Sequence, residues 1–438
     1  MRVRFFSILL AIALAVAVSV RAQAPQAPQG RGGRSGRGNI ELPEGPGKLP
    51  VQAYCQGCHT LGNIVNSGGY THDGWVELIG TMVKLPAEQT GVIVDYLAKN
   101  FPEQPRPKPV LIAGPVKVTF KEWGLPSLGS RPHDPLATPD GMIWYTGMFA
   151  NVLGRVDPKT GAIKEFPLKT PQSGPHGLTT DKDGKIWFTA NQKGYIGKLD
   201  PANGDVTEYP LPEGARDPHT PLFDRNGILW FSVQGSNMVG RLDPKTGEAK
   251  VEKYPEARSN PYGMVFDSTG APIICEFGAN RISRIDPATL QIKEWTLPNP
   301  DSRPRRIAIT SGDIVWYSDY ARGYLGRLDT KTGDVTEWAS PGGPKSQPYG
   351  ITAIDGIIWY SESAVRPNTM VRFDPATQKF QTWVIPGGGG VVRNIMPTRD
   401  GNIAIAESGV NKVGLVEIAD EVNKQLKLAA EAANKNAK

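Results

Sequence analysis

The chain has 438 residues, 39% hydrophobic and 21% charged, and its 50 Gly and 39 Pro make up about a fifth of it. That mixture fits a turn-rich globular protein and excludes a collagen, a wholly disordered chain and a polytopic membrane protein. The formal charge of +6 owes much to Arg2, Arg4, Arg21, Arg31, Arg34 and Arg37, so the remainder is near neutral and carries no sign of nucleic-acid binding. Three Cys are too few for a disulfide framework.

Residues 1–22 read as a signal peptide. Arg2 and Arg4 precede an apolar run from Phe5 to Val20, and Val20 and Ala22 supply the small residues before a cut. The run is shorter than the roughly 20 residues that a membrane span needs. The mature chain is expected in the periplasm or outside the cell, with no stable membrane span after signal removal. Residues 23–47 carry QAPQAPQGRGGRSGRGN, polar and rich in Pro and Gly. Such a segment has too little apolar surface to offset the entropy of ordering and reads as a disordered linker.

Residues 55–59 spell CQGCH. Cys55 and Cys58 are spaced so that two thiols reach the two vinyl groups of a porphyrin while His59 ligates the iron. A redox CxxC would want a thioredoxin-like βαβ setting, and a zinc site a second pair of ligands nearby; the sequence has neither. Export agrees with thioether attachment, which takes place beyond the bacterial inner membrane. Covalent heme c is the expected cofactor. Its second axial ligand lies open between His72, in a polar stretch, and Met82, which follows Trp75, Leu78 and Ile79 at three- and four-residue steps. Glu88 to Lys99 reads as a closing helix. Residues 48–104 resemble the small cytochrome c domains, in which a CxxCH helix, a Trp helix, a distal Met and a C-terminal helix with a Tyr-Leu pair, here Tyr96 and Leu97, enclose one heme. That resemblance makes Met82 the distal ligand and implies electron transfer. So small a domain would draw much of its buried apolar surface from the porphyrin.

A Pro-rich linker at 105–115 leads into a repeat. RVDPKTG, KLDPANG, RLDPKTG, RIDPATL, RLDTKTG and RFDPATQ begin at Arg155, Lys198, Arg241, Arg284, Arg327 and Arg372, a step of 43 residues that lengthens once to 45. A period in the low forties with short alternating strands is propeller spacing. Pro175 to Pro212 shows four strands separated by turn residues. Trp144, Trp187, Trp230, Trp316 and Trp359 share one place on the second strand and are expected between blades. Seven first strands open with His133, His176, His219, Tyr262, Arg305, Tyr349 and Arg393. The last copy lacks an outer strand, and Val116 to Pro126 is an outer strand without a blade, so pairing the two closes a seven-bladed ring over 116–418. The fold class is mainly β, a seven-bladed β-propeller preceded by a small all-α domain. Residues 419–438 are rich in helix formers and read as a frayed helix or tail.

SGPHGLTTDKDGKIWFTANQKGYIGKLDP and NPYGMVFDSTGAPIICEFGANRISRIDP resemble the virginiamycin B lyase (streptogramin lyase) family of seven-bladed propellers, over about residues 116–418. The resemblance implies a Mg2+-assisted elimination that opens a cyclic depsipeptide ester, with a His as base and glutamates on the metal. Its pattern pairs an opening His with an acid 14 residues later in the same blade. Here His133, His176 and His219 lead to Gly147, Ala190 and Val233, whereas Glu276, Asp319, Glu362 and Glu407 close the other four second strands. Opening and closing positions emerge at one end of each blade, so the three imidazoles and four carboxylates are expected around one channel mouth, suited to acid/base work or to Mg2+ or another divalent cation. Cys275 takes a slot that is Thr, Ser or Ala elsewhere and reads as a small buried residue.

The expected function is that of an exported monoheme c-type cytochrome. Electrons would pass through the iron held by His59 and Met82, with the propeller as docking or substrate platform for a redox partner protein or a small-molecule substrate. The alternatives are a metal-assisted lyase using His133, His176, His219, Glu276, Asp319, Glu362 and Glu407, or a binding scaffold without chemistry.

Overall fold

The structure, a computed structural model, describes residues 41–56 and 60–419. The signal peptide, most of the first linker, Cys58, His59 and the C-terminal segment lie outside the described residues. No helix among those described is long and apolar enough to cross a membrane.

Four helices come first: α1 (Lys48–Cys55), α2 (Gly62–Val65), α3 (His72–Met82) and α4 (Ala87–Asn100). The Thr71 hydroxyl caps α3 by accepting from the Gly74 amide at 3.1 Å. The apolar stripes of α1, α3 and α4 meet in one core of Val51, Trp75, Ile79, Ile93, Val94 and Leu97, with Cys55 packed against it. His72 opens α3 on the surface rather than lying in a loop, 3.3 Å from both Asp73 and Asp95.

The rest is seven four-stranded antiparallel sheets. The final one is completed by the first strand of the propeller: Lys117–Gly124 pairs with Lys412–Ala419 along its whole length, which joins the two ends of the ring. The second-strand tryptophans lie in the clusters between adjacent blades, as expected. Trp144 packs among Leu178, Ile186 and Phe188 of the next blade, and Trp359 among Ile395, Ile403 and Ile405. Each also stacks on an outer-strand ring of its own blade, Trp144 on Phe166 at 5.3 Å and Trp359 on Trp383 at 5.5 Å. The Gly that recurs on most third strands is sterically required: a Cβ on Gly197 would lie 2.1 Å from the Phe188 ring, and one on Gly326 2.0 Å from Tyr317.

The helices and the linker after them are tied to the propeller and to each other at specific contacts. The Gly129 amide donates to the Thr81 carbonyl at 2.7 Å, and the Arg366 amide to the Pro107 carbonyl at 3.0 Å. Arg106 reaches back over the Tyr70 ring at 5.5 Å.

Candidate active site

Every first strand carries the same irregularity. The register slips between the residue before the opening position and the second residue after it, as between Pro132 and Pro135 or between Pro175 and Leu178. Two residues therefore face one across the ladder, which is a β-bulge, and the bulge turns both toward the axis. The spare groups of the bulge are satisfied by the second-strand hydroxyl. Thr146 accepts from the Asp134 amide at 3.1 Å and donates to the His176 carbonyl of the next blade at 2.9 Å. Thr189, Ser232, Ser318 and Ser361 repeat this link to His219, Tyr262, Tyr349 and Val392. Cys275 does the same with its thiol, 2.8 Å from the Arg305 carbonyl, so it is a buried structural donor.

The bulges bring the opening side chains together. The rings of His133, His176, His219 and Tyr262 form a continuous run of tilted contacts around the axis with centroid spacings of 3.5, 3.8 and 3.7 Å. Tyr262 and Tyr349 share a hydroxyl hydrogen bond. The residue after the opener supplies two groups that sequence reading missed, Asp134 and Arg306. Asp134 Oδ1 lies 2.8 Å from His133 Nδ1 and 2.7 Å from Arg306 Nη2, an ion pair between residues 172 apart in the chain. The available signal was charge at that second bulge slot, which is Gly in the second, fourth and sixth blades (Gly177, Gly263 and Gly350). Arg131, Arg305 and Arg393 complete the group. Arg305 sits among Tyr349, Tyr320 and Phe277 at 3.9, 4.2 and 4.4 Å.

Burial, reinforced by Arg393 and Arg306, holds the His133 imidazolium well below the usual range. His176 is lowered chiefly by burial and then by His133, and His219 by burial and then by His176. All three imidazoles are neutral at pH 7.

The four acids do not join this group. Each closing residue pairs across the ladder with the Pro or Val before the bulge, as in Pro261–Glu276 and Pro348–Glu362. Their side chains are engaged within their own part of the ring. Glu276 pairs with Arg281 at 3.3 Å, Asp319 with Arg322 at 3.1 Å, and Glu362 accepts from Ser340, Gly342 and Thr369 at 2.6 Å each. The Glu407 carboxyl lies beside Glu122; burial first and Glu122 second push it up to about 8. Burial likewise raises Glu276 to about 7.

Ligand atoms of His133, Asp134 and His176 lie within 4.8 Å of one another. The set does not fit Mg2+, which takes oxygen ligands in octahedral geometry. Its single carboxylate is already paired with Arg306, and Arg131, Arg305 and Arg393 lie near enough to act on His133.

Residues 116–276 and 253–434 match the model of the virginiamycin B lyase family. The chain belongs to that family. No curated protein matches it. Among solved structures, the virginiamycin B lyase of Staphylococcus aureus is 26% identical with a TM-score of 0.63, over 68% of this chain and 99% of that one. A streptogramin B lyase is 27% identical, again with a TM-score of 0.63, over 69% and 98%. A catalytically inactive variant of the S. aureus lyase with quinupristin gives 25%, 0.63, 68% and 99%. The likeness thus spans nearly the whole of each lyase and about two thirds of this chain.

For the expected heme ligands, Cys55 ends α1 against the helical core, and Met82 ends α3, partly buried, with its backbone beside Gly129. Cys58 and His59 lie outside the described residues.

Proposed function

We propose that the chain is an exported enzyme of the streptogramin lyase type, which removes a proton next to a carbonyl and eliminates a carbon–oxygen bond at the propeller axis. The observation that carries this reading is the 2.8 Å contact between His133 Nδ1 and Asp134 Oδ1 in a propeller of the lyase family. The carboxylate accepts the Nδ1 proton and leaves the Nε2 lone pair as the base. A neutral imidazole needs no prior deprotonation at pH 7. Its weakness as a base is offset by the neighbouring guanidinium groups, which stabilise negative charge as it develops on the substrate. The proton passes to Nε2, its bonding pair becomes a carbon–carbon double bond, and the ester C–O bond breaks with its electrons leaving on a carboxylate. Glu276, Asp319, Glu362 and Glu407 then serve to fix the blades.

The test is incubation of the full chain with quinupristin in EDTA, followed by mass spectrometry. Elimination gives a ring-opened product of unchanged mass. An intact ring, or a product heavier by one water, contradicts the reading.

A second reading is favoured by the placement of the helices, whose Thr81 contact lies at Gly129, two residues from Arg131 of the axis group. Cys55 and Cys58 would carry a covalent heme c, with His59 and Met82 as axial ligands. What supports it is apolar surface left exposed on and beside the helices at Leu49, Tyr54, Val65, Val76 and Val83, since a porphyrin needs apolar cover. When bound, the heme supplies one-electron transfer to a redox partner protein or a small-molecule substrate. Protein made with a cytochrome c maturation system should give a pyridine hemochrome spectrum that Cys55→Ser diminishes; colourless wild-type protein contradicts this reading.

A further inference from the structure

We propose that the propeller axis is an oxyanion site, in which Arg131, Arg305, Arg306 and Arg393 hold a carboxylate or phosphate group of the ligand where the family resemblance implies a divalent cation. It deepens the lyase reading, and rests on it, only in assigning the released carboxylate to this site.

Four guanidinium groups converge on the axis, and Asp134 is the carboxylate in contact with them, already bonded to Arg306 at 2.7 Å. The imidazoles are neutral, so the positive charge is left largely uncompensated. Its field is visible on the neighbours. Burial and then Arg393 pull Arg131 down to about 9. Burial would raise the Tyr349 phenol, yet Arg305, Arg393 and Arg306 together bring it below its usual value.

Donors stand unused as well. The Nε atoms of Arg305, Arg306 and Arg393 and Nδ1 of His176 are buried without a hydrogen-bond partner, and His176 is only 4% exposed. An unsatisfied buried donor is destabilising, and a bound acceptor removes that cost. The cage of Tyr349, Tyr320 and Phe277 fixes the Arg305 head through its ring faces rather than through its N–H groups. Planar guanidinium forks match the paired oxygens of a carboxylate or phosphate. Arg131, Arg305 and Arg393 are partly exposed, so the site opens on the arginine side.

The experiment is calorimetric titration of the full chain with citrate, with inorganic phosphate and with the neutral tricarboxamide analogue of citrate, at fixed ionic strength and in EDTA. Citrate or phosphate should bind and raise the unfolding temperature, and the amide should not. Binding of citrate alone identifies a carboxylate ligand, and of phosphate alone a phosphorylated one. Arg393→Gln and Arg131→Gln should each weaken the anion at least about tenfold; two variants are used so that one that misfolds in a ligand-free melt can be set aside. The proposal is overturned if neither anion binds, if the amide binds as well as citrate, or if a folded variant keeps wild-type affinity. Since no turnover is measured, failure of the lyase reading leaves this result standing. Ring opening without anion binding would defeat this proposal alone.

Discussion

Blades one to three and blades four to seven are copies of one repeat, yet they keep their ionisable groups in different places. The first three put His133, His176 and His219 on the axis and close their second strands with Gly147, Ala190 and Val233. The other four put Tyr262, Arg305, Tyr349 and Arg393 on the axis and bury an acid at each closing position, with Glu276, Asp319, Glu362 and Glu407 all fully buried. Position relative to the bulge decides what a side chain can do. A bulged residue is aimed at the channel and its neighbours from other blades, while a residue one register step away is tied to Ser, Thr or Arg of its own surroundings. Two sets of groups at the same end of a propeller are therefore chemically separate.

The sharpest way to break this comparison is kinetic. His133→Ala should lower turnover by about 10²–10⁴-fold, the usual worth of a positioned general base, while Glu362→Gln stays near wild type. Equal losses in a kcat/KM comparison would erase the distinction between the two groups.

The next effect is on stability. Arg306→Leu leaves Asp134, 3% exposed, without its cation and should cost about 3–5 kcal/mol in urea unfolding. Arg281→Leu, at a partly exposed pair with Glu276, should cost less. The reverse order would mean that the acid blades, not the axis, carry the tightly coupled charges.

Titration separates the two sectors in opposite directions. Glu407 has a folded value of about 8 against an ordinary 4.5. The native carboxyl keeps its proton while the unfolded chain releases it, so this stabilisation is full below pH 4.5 and declines as pH rises toward 8, by up to about 1.4 kcal/mol per unit. The histidines act the other way: the unfolded chain takes up protons below about pH 6.5 and the native one does not, so stability falls on acidification. Thermal melts should show Glu407→Gln flattening the decline between pH 6.5 and 8 and leaving the acid side alone. An unchanged slope there would contradict the placement of Glu407.

The smallest effect tests the links between blades. Thr189→Val removes the donor to the His219 carbonyl and the acceptor for the Gly177 amide and should cost about 1–3 kcal/mol, whereas Cys275→Ser, which keeps a donor, should be close to neutral. A large loss at Cys275 would indicate a role for the thiol beyond this link.

Much of the ring was legible in the sequence because its signals are local and repeated. The 43-residue step, the turn residues between strands and the second-strand tryptophans each report on one blade at a time, and the unmatched strand at Val116 to Pro126 revealed the closure by simple pairing. The opening residues were legible for the same reason. What could not be read was the bulge, whose extra residue leaves no compositional mark. Without it Asp134 and Arg306 look like ordinary strand positions. Their ion pair joins blades far apart in sequence, a contact that no local pattern encodes. At CQGCH the spacing points to heme attachment, but Cys58 and His59 lie outside the described residues, and what surrounds such a group depends on packing between helices that spacing does not encode.

On the proposed reading, an imidazole and guanidinium groups at the axis do the work that the family resemblance assigns to acids and a divalent cation. The most direct test is the rate of quinupristin ring opening in EDTA for wild type, His133→Ala and the double variant Glu276→Gln, Glu362→Gln, measured side by side. Wild type and the double variant should turn over alike, and His133→Ala should be nearly inactive. Activity that disappears in EDTA and in the double variant, but survives in His133→Ala, would contradict it.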